Sequence, residues 1–181
     1  MLVLLAGCSA GKAPADGTIA GLVLTPDLSH DHVEGPLSYP QAPPVGGQHN
    51  PTWLRCEVYD APVPAEFAVH SEEHGGVWLT YRPGLAAADV ARLAALHDLD
   101  DTTREYVLVS PYDGLPSAVV AATWGVSLAA GSADDPRLEQ FVRRYAGGSQ
   151  GGEGGAPCTS AGNAVTPAQG RSLLAEQAAA G

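Results

Sequence analysis

Methionine is missing after Met1, lysine occurs once, and no Cys-x-x-Cys pair is present. Each absence removes a class of chemistry. Without internal methionine, a thioether site for Cu(I) cannot be built. Without Cys-x-x-Cys, thioredoxin-type dithiol exchange lacks its motif. Basic residues are scarce as a whole: nine Lys and Arg stand against 20 Asp and Glu, a formal net charge of −11. That charge repels phosphate backbones, so no nucleic acid is expected as a partner. No stretch approaches the roughly 18 unbroken apolar residues of a membrane-spanning helix. The 181 residues suffice for one domain with a core and are short for two.

Cysteine is sparse too, and each of the three has its own reading. Cys8 closes Leu5-Ala6-Gly7-Cys8 behind an apolar start, the pattern of a bacterial lipobox, in which the cysteine carries a lipid. Residues 1–8 therefore read as a signal and lipobox remnant, with Cys8 as the lipidation site. Met1–Gly7 has no positive n-region and is far shorter than a signal peptide. Either translation starts upstream or the likeness is accidental. The lipoprotein reading places the chain outside the cytoplasm, anchored to the cell membrane. In such an oxidising compartment Cys56 and Cys158 are expected to form a disulfide. It would close a loop of about 100 residues, worth roughly 4–5 kcal/mol in the chain-entropy picture. The alternative is a nucleophilic Cys56 activated by a histidine.

Residues 9–27 mix small residues with proline, as a spacer behind an anchor would. From His30 to Pro64 the chain is rich in Pro, Gly and His without periodicity, which predicts an extended segment. Regular structure begins after Pro64. Ala65–His74 reads as a short helix stopped by Gly75-Gly76. Strands are expected at Val77–Tyr81, Tyr106–Val109 and Ala118–Gly125, with a helix over Ala86–Leu99. Asp134-Asp135-Pro136 caps a further helix whose Leu138, Phe141, Val142 and Tyr145 share one face. The fold class is α+β: a small sheet of about three to four strands covered by helices, preceded by the extended His/Pro/Gly-rich segment. The core domain spans 28–147. Residues 148–181 form a Gly-rich tail, a flexible tether pinned by Cys158, in which Ala168–Ala180 can form a terminal helix.

Five of the six histidines lie between residues 30 and 74. His70 and His74 are four apart on one helical face, about 6 Å apart at Cβ, so both can reach one ion. His30-Asp31-His32 and His49 stand in loops able to approach that helix. Glu73 projects roughly 100° from His74, which suits a group orienting a ligand from behind or binding through water. An imidazole-dominated set suits Zn(II) or Cu(II) and disfavours Ca or Mg. His70-Ser71-Glu72-Glu73-His74 also fits H-x-x-E-H, with Glu73 in the place of a general base, although five residues with two free positions carry little specificity. The plainest alternative is a pair of histidines at a helix C-terminus favoured by the dipole.

Several elements appear in a distinctive order: His32-Val33, Tyr39, APPVGGQH (42–49), Trp53, CEVYDAPVP (56–64), VHSEEHGGVWLTYRP (69–83), SPYDGL (110–115), ATWG (122–125) and Ala156-Pro157-Cys158. As a set they resemble the bacterial domain family DUF3105 over roughly residues 30–158. The resemblance implies an exported or membrane-anchored protein. It also implies that His32, His49, His70 and His74 recur together with Glu73, which favours them over His30 and His97. Two positions depart from the family pattern. Glu72 stands where an apolar residue is usual, which predicts a helix more exposed or more anionic near the ion. Leu115 stands where a methionine is expected.

These readings converge on an extracytoplasmic, lipid-anchored domain that binds a copper or zinc ion through His32, His49, His70 and His74. The alternatives are a small metal-dependent hydrolase with Glu73 as base and a metal-free structural or interaction domain. No motif names a protein partner.

Overall fold

Period-two patterning builds the sheet. In β2 (Val77–Tyr81), Val77, Leu79 and Tyr81 face one way while Trp78 and Thr80 face the other. All five are buried, so both faces of this central strand are covered. β2 pairs in parallel with β3 (Val107–Pro111) and antiparallel with β4 (Val119–Thr123). β4 turns at Trp124-Gly125 into β5 (Val126–Ala130), and the edge strand β1 (Leu22–Leu24) pairs antiparallel with β5. The order across this open mixed sheet is β1-β5-β4-β2-β3. The computed structural model describes residues 18–159 and 164–180; Cys8 and its lipobox lie outside them.

Helices cover each face. α2 (Ala87–His97) and α4 (Pro136–Tyr145) bring Leu93, Leu138, Phe141 and Val142 onto Val77, Leu79, Val109 and Leu128. On the opposite face α1 (Ala65–Glu73) packs Phe67 and Ala68 with Trp78 and Leu108. The C-terminal α5 (Pro167–Ala180) leans Leu173 and Leu174 on that second cluster. Asp100 starts α3 (Asp101–Tyr106) through a capping box with Thr103, and Asp135 caps α4 by accepting from Arg137 N–H at 3.0 Å. Among the described residues, no helix is long and apolar enough to cross a membrane.

The fold is α+β as expected, with five strands rather than three to four. β1 lies inside the segment read as a spacer, because three residues are too few to show a period and are held by pairing with β5. Tyr106 ends α3 instead of opening a strand, since the Asp100–Thr103 box initiates a helix there. The Gly-rich run after Gly147 is packed, not a free tether. Gly147 N–H donates to the Gly75 carbonyl at 3.0 Å, and Gly151 lies so close to α1 that a Cβ there would sit 2.3 Å from the Glu73 carbonyl oxygen. Cys56 and Cys158, both fully buried, form a disulfide at the end of this run.

Candidate metal centre

The helix carrying the site ends where its glycines dictate. Gly75 adopts φ 95°, which glycine tolerates and other residues rarely adopt. Gly76 N–H then reaches the Ser71 carbonyl at 2.7 Å and Gly75 N–H the Glu72 carbonyl at 3.0 Å, the paired bonds of a Schellman ending. His74 is thereby the C-cap, one turn beyond His70. The extended segment folds back over this helix: Val33 N–H donates to the His49 carbonyl, Asn50 N–H to that of Glu66, and Leu54 N–H to that of Phe67. Local sequence thus makes the helix, while backbone pairing with the loops brings the remaining histidines to it.

α1 is buried almost all round, although it contains His70, Ser71, Glu72 and Glu73. Buried polar groups of this kind need partners. Ser71 Oγ donates to the Leu54 carbonyl at 2.7 Å. Around Glu73 the nearest polar atoms are imidazole nitrogens: His30 Nδ1 at 2.5 Å from Oε1, His49 Nε2 at 2.9 Å and His32 Nε2 at 3.6 Å from Oε2. His74 Nε2 lies 3.0 Å from His70 Nε2 and 3.2 Å from Glu153 Oε2. Among the described residues two groups of donor atoms result, each within 4.8 Å: His32, His49, His70 and Glu73, and then His70, His74 and Glu153.

Backbone carbonyls fix two of the tautomers. His49 Nδ1 donates to the Gly47 carbonyl at 2.7 Å and His70 Nδ1 to the Asn50 carbonyl at 2.6 Å. Each ring therefore turns an Nε2 lone pair inward, as metal-binding histidines backed by a carbonyl do. Burial keeps them neutral: it lowers the His49 pKa despite the Gly47 and Glu73 contacts, and with the neighbouring imidazoles pushes His70 down to about 3. Burial alone would raise the Glu73 carboxyl, but the His30 hydrogen bond helps to hold it below the usual range. The His49 lone pair and a carboxylate oxygen thus face each other. A cation between them turns this repulsion into attraction.

Glu72 behaves differently. It is 1% exposed, and neither carboxyl oxygen has a hydrogen-bond partner among the described residues. Burial raises its pKa well above the ordinary value, which favours the neutral acid. The helix is therefore not more exposed at this position.

All four histidines expected at the site are in the cluster, divided between two groups that share His70. The Glu73 carboxylate lies within 4.8 Å of the donor nitrogens of His32, His49 and His70. His97 closes α2, contacts Asp98 at 3.2 Å and belongs to neither group. Two further residues join the cluster: His30, which the sequence reading sets behind the other four histidines, and Glu153. His30 stacks on Trp124 with ring centroids 4.4 Å apart while it holds Glu73; its place in His30-Asp31-His32 was the available signal. Glu153 sits in the Gly-rich run, where nothing local marks it.

No curated protein and no solved structure matches the chain. A comparison with protein families matches residues 30–160 to the one described as protein of unknown function (DUF3105). That segment contains His30, His32, His49, α1, the whole of β2–β5 and Glu153, so with its site and most of its sheet inside the matched region, the chain belongs to the DUF3105 family.

Proposed function

We propose that this domain binds one transition-metal ion, Zn(II) or Cu(II), outside the cytoplasm, as a binding, sensing or delivery module. One observation carries the reading: His49 and His70, their tautomers held by backbone carbonyls, bring their Nε2 atoms within 4.8 Å of each other and of the buried Glu73 carboxylate. With His32 the donor set is three imidazoles and one carboxylate, which suits Zn(II) and Cu(II) better than Mg or Ca. Glu73 serves as a ligand here. Its Oε1 is held by His30 and its Oε2 lies 2.9 Å from His49 Nε2, which argues against a general base reserved for water. The extracytoplasmic part of the proposal rests on the Cys56–Cys158 disulfide, and the lipid anchor on the lipobox ending at Cys8.

Calorimetry with Zn(II) or Cu(II), paired with elemental analysis of protein from its native compartment, tests the metal. One ion per chain is expected, lost in His49→Ala/His70→Ala and kept in His97→Ala. Equal binding by the double variant, or no saturable binding by the wild type, refutes it. For the anchor, mass spectrometry of the native protein should find a lipidated N-terminal Cys8.

A further inference from the structure

We infer that the cluster offers one ion two alternative positions pivoting on His70. The deep position is formed by His32, His49, His70 and Glu73, and the transfer position by His70, His74 and Glu153. This rests on the metal-binding reading and adds to it an activity: passing the ion to an acceptor rather than only storing it.

The two positions are mutually exclusive. His70 Nδ1 donates to the Asn50 carbonyl at 2.6 Å, so the ring has Nε2 alone to offer. An imidazole can bridge two metals only by giving up its second proton, and here that proton is engaged by the backbone. The donor groups are therefore occupied in turn, not together.

They also differ in strength. In the deep position the rings of His49 and His70 are each backed by a carbonyl, and the carboxylate is 3% exposed. In the transfer position His74 Nδ1 is buried with no hydrogen-bond partner among the described residues. Ligation through Nε2 leaves the proton on that Nδ1, unpaired and out of water, which weakens the position. Its carboxylate, Glu153, is 57% exposed on the Gly-rich run. The weaker position is the one whose carboxylate an acceptor can approach.

The path between them is short. His74 Nε2 is 3.0 Å from His70 Nε2 and 3.2 Å from Glu153 Oε2. An ion held throughout by His70 exchanges His49, His32 and Glu73 for His74 and Glu153 one ligand at a time. No step requires a bare ion in the protein interior.

The experiment loads the full chain with Zn(II) and follows its transfer to a coloured competing chelator, alongside the stoichiometry. We expect one ion per chain in the wild type, in Glu153→Gln and in His74→Ala. Both variants should slow transfer to the chelator by about tenfold or more. Because Glu153 is exposed, its variant should fold even where His74→Ala does not. With Cu(II), Glu73→Gln should give an altered electron paramagnetic resonance spectrum that changes again when His74→Ala is added. Two ions per chain, or transfer as fast in Glu153→Gln as in the wild type, overturns the two-position mechanism while leaving metal binding intact. A wild type that binds no ion overturns both.

Discussion

His49 Nε2 stands 2.9 Å from Glu73 Oε2 while the opposite nitrogen of the same ring donates to the Gly47 carbonyl. The imidazole consequently presents a lone pair, not a proton, to the carboxylate. Burial lowers the pKa of the ring, which disfavours relief of this arrangement by proton uptake. Preorganisation of this kind costs stability in the metal-free protein and returns it when an ion binds.

Metal affinity should tolerate acid better than unconstrained histidines allow. Binding requires neutral imidazole, and an ordinary histidine ligand loses about tenfold in affinity per pH unit below roughly 6.5. Burial has already lowered the pKa values of His49 and His70, so protons compete with the ion at those rings only at lower pH. Zn(II) titrations between pH 7.5 and 5.5 should show a shallower loss than three unconstrained imidazoles would give. A loss as steep as that from free imidazoles refutes the prediction.

Stability of the metal-free protein should fall on acidification. The unfolded chain protonates His70 near pH 6.5, the folded one near about 3. Between those values the unfolded state binds more protons, so stability is lost as pH falls through the window. Glu72 opposes this, since its raised pKa makes the folded state take up a proton first. Thermal melts in Glu72→Gln should therefore decline more steeply from pH 6.5 downward than those of the wild type.

Replacing Glu72 by leucine should stabilise the protein at neutral pH by about 1–3 kcal/mol. The side chain is buried without a hydrogen-bond partner among the described residues, so an apolar group removes a desolvation penalty and breaks no bond. Denaturant unfolding at pH 7.5 measures the gain, and Zn(II) stoichiometry should remain at one. A destabilised variant would mean that Glu72 makes a contact worth more than its desolvation.

Cys56→Ser should cost roughly 4–5 kcal/mol, the entropy of a crosslink spanning about 100 residues. It should also loosen the Gly-rich run that holds Gly151 against α1 and Glu153 near His74. Without reductant, neither Cys56 nor Cys158 should react with a thiol reagent in the native protein. Quantitative labelling of either would show that the bridge is not formed.

Much of this molecule is written locally in its sequence. The Gly75-Gly76 pair stops α1 at His74 because glycine tolerates φ 95°. Alternation in VWLTY makes a central strand with two covered faces, and the Leu138/Phe141/Val142 spacing makes an amphipathic α4. His70 and His74 share a face because a helix repeats every 3.6 residues. The five-strand order, however, came from long-range pairing. β1 is too short to carry a period, and β5 lies beyond the strand read at Ala118–Gly125, where it is held by antiparallel pairing with β4.

The geometry of the histidine–glutamate cluster is where tertiary structure decided. The sequence supplied the histidines and Glu73, but helical spacing says nothing about which ring nitrogen faces inward. Gly47 and Asn50 carbonyls decide that, and they reach His49 and His70 only through the folded loop. Likewise the distance from His74 to Glu153 bears no relation to their separation along the chain. It is set by a glycine run packed on α1 and tied down at Cys158. Residue types and short-range periodicity obey local sterics, which a sequence displays directly. Tautomers, burial and the pairing of distant carboxylates depend on which surfaces the fold removes from water, and that is a property of the whole chain.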